Sequence, residues 1–422
     1  MKQTDPIYRQ ILGILEEELI PAMGCTEPVA IAYAAAQARR LLGTRPERLL
    51  VEVSGNIIKN VKSVVVPHTG GLRGIRAAAL AGALAGDADA ELEVLSAITP
   101  AQIEEIGAAQ EQIPVELRFA DTAQVFDILV TAFAGEDSAF ARIAGHHTNL
   151  VTLRRNGETL MERPLPRGIG EEGEDILTVE NIVDFAENVS VEDVAPVLER
   201  QIACNMRIAE EGLERPWGAN IGRTLLRGRD DLETKLRAWA AAASDARMSG
   251  CELPVVINSG SGNQGITCSV PVIVYARETG KSHEELLRAL CVSNLITIHL
   301  KSGIGRLSAY CGAVSAGCGA GAGLSWLQGG RFKEIAHTVV NAVAVTSGIV
   351  CDGAKPSCAA KIAAAVDAGL LGLNMYRFGN QFYGGDGIVK KGVENTIRNV
   401  GRLARDGMRE TDREIIRLML ES

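Results

Sequence analysis

The chain has 422 residues, enough for two or three domains of ordinary size, which excludes a small scaffold held together by disulfides. Acidic residues outnumber basic ones by 52 to 43, and the net charge of −9 has the wrong sign for a surface that neutralises nucleic-acid phosphates. Hydrophobic residues at 46% and charged residues at 23% are close to globular averages, so we expect a folded chain without a membrane span.

Small side chains dominate the composition, with 45 glycines and only 4% aromatic residues. We expect closely packed helices and tight backbone turns from this bias. Residues 1–19 lack the basic start, apolar run and cleavage site of a secretory signal, so we predict a cytoplasmic protein. Nine cysteines, an odd number, favour reduced thiols that are buried, catalytic or bound to metal over a disulfide framework.

The hydrophobic pattern predicts two N-terminal helices, residues 7–19 and 27–42, separated by Pro21. The pattern then changes to short β-branched runs mixed with alanine-rich segments, which is typical of an α/β region. The elements predicted there are strands 49–53 and 61–66, a helix 72–84, a helix starting at Pro100, strands at 114–119 and within 140–153, and a hairpin turn at Asn156 and Gly157 before the region closes near Met161.

Residues 163–176 combine prolines, glycines and an acidic cluster, which favours a linker. Almost all of the chain beyond it has a helical pattern, interrupted by polar loops at 259–265, 303–305 and 378–387. The predicted fold class is therefore α+β, a mainly helical domain with a smaller inserted α/β domain. The predicted domains are N-terminal helices packing on the helical domain (1–45), the α/β domain (46–162), the linker (163–176) and the helical domain with the candidate metal ligands (177–422).

Residues 351–358 (CDGAKPSC) contain two thiols on either side of a six-residue turn. Pro356 and Ser357 form a helix start signal, so Cys358 is predicted at a helix N-terminus. The amide N–H groups and the helix dipole at such a position favour a thiolate and an anionic metal cluster. The spacing of Cys351 and Cys358 fits two small buried core residues equally well.

Cys25 precedes a second helix start at Thr26, so the same field is expected to lower its pKa, although the position also fits an inert cysteine. Cys311 and Cys318 lie in a glycine-rich segment, residues 310–323, whose backbone must closely approach either another helix or a cofactor. Cys311 and the cysteine pair described above would supply three thiolates. Three ligands leave one metal position open to a substrate, as in catalytic zinc sites.

Residues 259–265 (SGSGNQG) form a loop of small hydroxyls, amides and glycines. Such a loop is suited to binding a carboxylate or phosphate through backbone N–H groups, although it also fits a simple turn. One further polar cluster contains Asn56 and Lys59, and another contains His147. A histidine in such a cluster is either structural or a general base near neutral pH. Residues 244–247 (SDAR) are interpreted as an ion-paired turn.

Four motifs occur together and in order over almost the whole chain: residues 24–28 (GCTEP), 259–265, 306–311 (RLSAYC) and 351–358. With these motifs the chain resembles the L-cysteine desulfidase family, which is related to the α chain of iron–sulfur-dependent L-serine dehydratase. The resemblance implies that an oxygen-sensitive [4Fe–4S] cluster, without pyridoxal phosphate, splits L-cysteine into pyruvate, ammonia and sulfide.

Carried over position by position, the resemblance makes Cys311, Cys351 and Cys358 the cluster ligands, with one iron open to substrate. Cys25 would lie beside the cluster, and His147 matches the histidine motif (GHHTN) of dehydratase β domains. Either of these two is expected to take the Cα proton. The candidate substrate-binding residues are Ser259, Gly260, Ser261, Gly262, Asn263, Gln264, Asn56 and Lys59.

Other interpretations stay open. L-Serine is a second candidate substrate, because the groups around the open iron are not evident in the sequence. A non-catalytic iron–sulfur sensor or a zinc-stabilised interaction protein would use the same thiols, and Lys355 or Lys361 could form the Schiff base of a pyridoxal phosphate lyase. His68 matches a further dehydratase pattern (HTG). The family resemblance assigns no role to Cys318. We expect a small amino-acid substrate and no nucleic-acid or membrane partner, and a homo-oligomer is compatible with the sequence.

Overall fold

A computed structural model describes residues 1–122, 124–165, 176–305 and 307–421. Helices make up 58% of the structure and strands 12%, in two small sheets, which confirms the predicted α+β class with mainly helical content. Most of the predicted linker, residues 166–175, and Arg306 of the fourth motif lie outside the described residues. The domain boundaries therefore stay predictions.

The helices are α1 Pro6–Glu18, α2 Thr26–Leu42, α3 Gly55–Val61, α4 Gly74–Ala85, α5 Pro100–Gln112, α6 Val179–Asn188, α7 Val191–Glu214, α8 Ile221–Leu225, α9 Leu232–Met248, α10 Gly262–Glu278, α11 His283–Ile304, α12 Gly312–Leu327, α13 Phe332–Thr346, α14 Cys358–Arg377, α15 Val393–Arg402 and α16 Arg409–Glu421. The strands are β1 Pro21–Met23, β2 Arg48–Val53, β3 Val115–Phe119, β4 Asp127–Ala134, β5 Asp137–Ala144, β6 Leu150–Arg155, β7 Glu158–Glu162 and β8 Pro254–Val256.

The larger sheet has the strand order β3-β2-β4-β5-β6-β7. β2 pairs in parallel with β3, and the other pairs of this sheet are antiparallel. A parallel pair needs a crossover connection, which the chain makes with α3, α4 and α5. The alanine-rich α2 packs against α4, β4 and β5, and most of its residues are buried.

Local sequence signals set the ends of several elements. Thr99 and Gln102 form a reciprocal capping box that starts α5 at Pro100. Asn156 and Gly157 both have positive φ, as the tight hairpin between β6 and β7 requires. The predicted helix start and the predicted hairpin are confirmed.

The predicted strand at 61–66 is wrong. The residues just before it form α3, which ends at Val61, and Val65 makes only an isolated bridge to Arg73. α3 is buried along its whole length, so its sequence has no polar face that would indicate a helical period. The sequence also fails to predict β1 and β8, which pair antiparallel, because runs of three residues are too short to show a period.

α12 is the central helix of the helical part and packs against α10, α11, α13 and α14. A Cβ added at Gly317 would lie 2.3 Å from the carbonyl oxygen of Ala365 on α14. A Cβ added at Gly321 would lie 2.8 Å from the carbonyl oxygen of Gly369 on the same helix. These glycines therefore serve close helix packing, one of the two alternatives that the sequence left open.

One described helix, α14, is long and apolar enough to cross a membrane by length and composition alone. In this structure 56% of its apolar window is buried within the protein. α14 packs against α9, α12 and α13, so its apolar surface is matched by other helices.

The contact between α12 and α14 predicts the effect of Gly317→Ala. The added methyl group would meet backbone atoms of α14, so we expect the free energy of unfolding to fall by about 1–3 kcal/mol. Gly13→Ala in α1 is the matched control, because a Cβ there meets no atom within 4 Å and alanine favours a helix. Thermal unfolding followed by circular dichroism measures both variants, and equal midpoints would contradict this account of the packing.

Candidate active site

A cavity of about 100 Å³ lies where several helices of the helical part begin. A loop from the larger sheet, the connection between β5 and β6, contributes one wall residue, His147. Most residues that the sequence singles out meet here. The predicted site residues in the cavity wall are Cys25, His147, Ser259, Gly260, Ser261, Asn263, Gln264, Cys311, Cys351 and Cys358.

Backbone pairing holds two of the thiols on adjacent segments. Tyr310 and Val350 form an isolated antiparallel bridge. On one side of it the Cys311 amide donates to the Ile349 carbonyl at 3.1 Å, and on the other the Cys351 amide donates to the Ala309 carbonyl at 2.6 Å. Two cysteines that are 40 positions apart in the sequence therefore reach the same wall through main-chain hydrogen bonds.

The loop from Cys351 to Cys358 is fixed by charge and by one close backbone contact. Asp352 forms ion pairs with both Lys355 and Lys361. Gly353 has a φ of +93°, and a Cβ there would lie 2.2 Å from the carbonyl oxygen of Lys59. Only glycine fits this position, both for its φ and for the space.

Four helices, α2, α10, α12 and α14, begin at the cavity. Their N-cap residues are Cys25, Ser261, Cys311 and Ser357. None of these four described side chains accepts the capping hydrogen bond that serine or threonine often accepts at a helix start. The helix dipoles and the N-terminal amides therefore give the cavity a positive field that favours a bound anion.

The expected lowering of the Cys25 pKa is wrong. Burial raises the pKa of this thiol, and the nearby Glu27 carboxylate raises it further. Burial also raises the pKa of Cys311 to about 12, with a contribution from Cys351, and raises the pKa of Cys358. Desolvation of a thiolate thus outweighs the stabilisation expected from the helix dipoles.

The loop 259–265 forms a tight turn that leads into α10. Ser259 and Gly260 both have positive φ, and Asn258 and Ser261 exchange backbone hydrogen bonds of 3.1 and 3.0 Å across the turn. Thr26 Oγ1 donates to the Gly260 carbonyl at 3.1 Å, which connects the turn to the N-terminus of α2. The turn and Cys25 are thereby held side by side.

The interpretation of residues 244–247 as an ion-paired turn is wrong. They belong to α9, and Arg247 reaches the cavity wall. Its Nη2 donates to the Gly24 carbonyl at 2.8 Å, and its Nη1 donates to Asn263 Oδ1 at 3.2 Å. The one available signal was an arginine at the end of an alanine-rich helix. The other wall residues that the sequence analysis does not predict include Glu27, Asn60, Lys301, Ser308 and Tyr310.

His147 is buried, and its ring packs edge-on against Phe126 with centroids 4.7 Å apart. The strands that lead to it are braced by a bidentate ion pair in which Arg142 donates to the buried Asp127 at 2.9 and 2.6 Å. His68 lies elsewhere, with its Nδ1 3.6 Å from Glu252 Oε2. Of the two histidines considered, the cavity includes His147 alone.

Asn56 and Lys59, two of the predicted substrate-binding residues, are not among the residues that line this cavity. The Lys59 ammonium is fully buried, pairs with Asp412 of α16 at 2.5 Å and donates to the Ser308 carbonyl at 3.3 Å. Lys59 therefore contacts the wall residue Ser308 without itself lining the cavity. Gly262 is the first residue of α10 and lies next to the wall residues Ser261 and Asn263.

Cys318 lies within α12 and is buried in the hydrophobic core. It is not a cavity residue, unlike Cys311 at the start of the same helix. In the part of the chain that the structure describes, no three His, Cys, Asp or Glu side chains are arranged to hold a single metal ion. The three thiols share a wall without converging on one point.

The family model described as serine dehydratase alpha chain matches residues 76–417 of this chain. The protein belongs to this family, and membership indicates a lyase of the dehydratase kind. The matched region includes all three thiols of the 311, 351 and 358 set, as well as His147 and the turn that precedes α10.

Similar proteins cover the chain from end to end. A UPF0597 protein of Desulfitobacterium hafniense is 55% identical, over 100% of this chain and 98% of the relative. A UPF0597 protein of Lachnoclostridium phytofermentans is 48% identical, over 98% of this chain and 100% of the relative. One of Treponema denticola is 46% identical, over 98% of each chain. These names give no substrate, so the substrate has to be argued from the site.

Asp245 precedes Arg247 by two residues on α9 and has a raised pKa. It is buried, and its Oδ2 accepts a hydrogen bond from the Gly222 amide at 3.0 Å. Burial raises its pKa from the ordinary value of 3.8 to about 6. Between these two values the folded protein binds a proton that the unfolded chain has released, so stability falls as the pH rises through this window.

We predict that Asp245→Asn, which removes this titration, gains stability relative to the wild type as the pH rises from about 4 to about 7. Differential scanning calorimetry at several pH values measures the difference in melting temperature between the two proteins. Glu233→Gln is the control, because Glu233 lies on the same helix and is exposed. A difference between Asp245→Asn and wild type that does not change with pH would contradict the raised pKa.

Proposed function

We propose that this protein is an iron–sulfur-dependent β-elimination lyase that degrades L-cysteine to pyruvate, ammonia and sulfide. The observation that carries the proposal is that Cys311, Cys351 and Cys358 share one cavity with the tight turn before α10 and with His147. A metal ligand set, an anion-binding turn and a proton acceptor are the parts that such a reaction needs.

The chemistry of the donor set fits a cluster. Thiolates are the usual protein ligands of iron–sulfur clusters, and each thiolate binds a different iron, so the three sulfurs need not converge on one point. Cys311, Cys351 and Cys358 would hold the cluster, and the uncapped helix starts around them favour its negative charge. When bound, the cluster supplies an electrophile that stabilises the departing sulfide.

The chain's own residues bind and orient the amino acid. The Ser259–Gly260 turn leads into α10, and the first-turn N–H groups of an uncapped helix suit a carboxylate. Fixing the substrate in this way directs its Cα–H bond towards a base, which is a large part of the barrier. The enamine released by the elimination hydrolyses to pyruvate and ammonia in water without further catalysis.

Two side chains are candidates for the base that takes the Cα proton. Cys25 packs in the same small apolar cluster as the proposed ligand Cys358. His147 comes instead from the connection between β5 and β6, a different part of the fold from the three ligands. Elimination needs a base separate from the electrophile that binds the leaving group, so we assign the base to His147.

L-Serine is the second candidate substrate, and the family description, serine dehydratase alpha chain, favours it. The same residues would bind it, with water as the leaving group instead of sulfide. The pyridoxal phosphate alternative has less support. Lys355 and Lys361, its candidate Schiff-base residues, are both paired with Asp352 and do not line the cavity.

The ligand assignment predicts the effect of single cysteine substitutions. After anaerobic reconstitution with iron and sulfide, we expect the wild type to bind a cluster and to release pyruvate and sulfide from L-cysteine. Cys351→Ala should lose most of the bound iron and nearly all turnover. Cys318→Ala is the matched control, because Cys318 is a cysteine of the same region that lies in the core and not in the cavity.

Iron and sulfide analysis together with pyruvate release, with L-serine tested in parallel, checks this prediction. Turnover of L-serine in preference to L-cysteine would move the assignment to a dehydratase. Equal iron content in Cys351→Ala and Cys318→Ala would contradict the ligand set. A bound cluster without turnover of either amino acid would favour a sensor.

The assignment of the base predicts a difference between two further variants. His147→Gln should reduce turnover by roughly 100-fold or more while iron content stays at the wild-type level. Cys25→Ala should retain more activity, because its thiol is not the base. Exchange of the Cα proton of L-cysteine with deuterated water, followed by NMR, measures the step directly. Exchange that is lost in Cys25→Ala and retained in His147→Gln would assign the base to Cys25 instead.

A further inference from the structure

We propose that Arg247 binds the α-carboxylate of the substrate and that Gln264 accepts a hydrogen bond from its α-ammonium group. This inference rests on the proposed function and deepens it, because it limits the substrates to free α-amino acids. The observations behind it are two buried polar atoms of opposite hydrogen-bonding character in one cavity wall.

Arg247 is a buried cation with no acidic partner among the described residues. Only 5% of its surface is exposed, and the ion pairs of the described residues do not include it. The partners of Nη1 and Nη2 are neutral oxygens, Asn263 Oδ1 and the Gly24 carbonyl. Nε is buried and makes no hydrogen bond within the described part of the chain. A buried guanidinium is costly unless an anion compensates it, so an anionic ligand is expected here.

Gln264 supplies the complementary group. Its side chain is 4% exposed, and its Oε1 is buried without a hydrogen bond from the described residues. An unsatisfied buried acceptor calls for a donor from a ligand, and an ammonium group is a strong donor. Arg247 and Gln264 both line the cavity, so one small zwitterion can satisfy both atoms.

The absence of a side chain at two glycines leaves room for Arg247 and Gln264. A Cβ added at Gly262 would lie 2.4 Å from Arg247 Nε, and a Cβ added at Gly312 would lie 2.7 Å from Gln264 Cδ. Each side chain therefore lies directly on the backbone of a helix start, Arg247 on α10 and Gln264 on α12. Pre-organised groups of this kind bind a ligand without first losing side-chain freedom.

The geometry also relates the amino acid to the proposed ligands. The Gln264 side chain packs against Gly312, the first residue of α12, whose N-cap is Cys311. Arg247 binds the Gly24 carbonyl next to Cys25. An amino acid held by its carboxylate and ammonium groups thus has its side chain next to the thiol wall, where the leaving group must lie. A substrate without a carboxylate would leave the buried guanidinium unpaired.

Binding of unreactive ligands tests this inference separately from turnover. L-Alanine has no β leaving group, so it can occupy the site without elimination. Isothermal titration of the full-length protein, purified anaerobically and measured before and after reconstitution with iron and sulfide, compares L-alanine with L-alaninamide and propionate. We expect the wild type to bind L-alanine at least tenfold more tightly than L-alaninamide, which lacks the carboxylate, or propionate, which lacks the ammonium group.

Three variants assign the contacts. Arg247→Met should weaken L-alanine at least tenfold and remove the preference over L-alaninamide, with Arg247→Lys intermediate because it retains charge without the guanidinium fork. Gln264→Met should weaken L-alanine but leave propionate unchanged. Arg237→Met is the matched control, since Arg237 also lies on α9 but pairs with Asp367 outside the cavity, and it should bind like the wild type.

Wild-type affinity for L-alanine in Arg247→Met would overturn the inference, and so would a wild type that binds no L-alanine. A change in iron content with unchanged amino-acid affinity would also overturn it, because Arg247 would then balance the charge of the cluster. Retained L-alanine binding in a protein that eliminates neither L-cysteine nor L-serine would leave this inference standing and refute the proposed function.

Discussion

The constraint on which the site depends is that α2, α10, α12 and α14 all begin at one buried cavity. Each helix start exposes backbone N–H groups that have no partner within the helix, and the N-cap side chains at this cavity do not supply one. Buried donors have to be satisfied, so the arrangement favours an anion in the cavity. Cys25, Cys311, Cys358 and the tight turn lie at these four helix starts, and Arg247 donates to Gly24 and Asn263 at two of them.

Packing between the helices makes this convergence possible. The glycines of α12 allow its backbone to touch that of α14, so the two helix starts that carry Cys311 and Cys358 lie close together. The bridge between Tyr310 and Val350 then brings Cys351 to the same wall. Behind the wall, the buried pair of Lys59 and Asp412 connects α3 to the C-terminal helix α16. The structure thus places Cys311 and Cys358 at helix starts and Cys351 beside the backbone bridge that joins their segments.

Much of this site can be predicted from the sequence, because its signals are local. The sequence shows cysteines at helix starts, Cys25 and Cys358, and a glycine-rich polar turn at residues 259–265. Arg247 and Lys59 are not predictable in this way, since their roles depend on partners far along the chain, Gly24 and Asp412. The pKa of Cys25 is misjudged for a related reason, because the helix dipole is evident from sequence and the extent of burial is not.

The central claim is that the three thiols hold a cluster with one iron open to substrate. Mössbauer spectroscopy of the protein reconstituted with ⁵⁷Fe, with and without L-cysteine, tests it most directly, because the method resolves individual iron sites. The account predicts that L-cysteine changes the signal of a single iron site and leaves the thiolate-bound irons unchanged. A protein that binds no cluster, or a cluster whose spectrum L-cysteine does not alter, would contradict it.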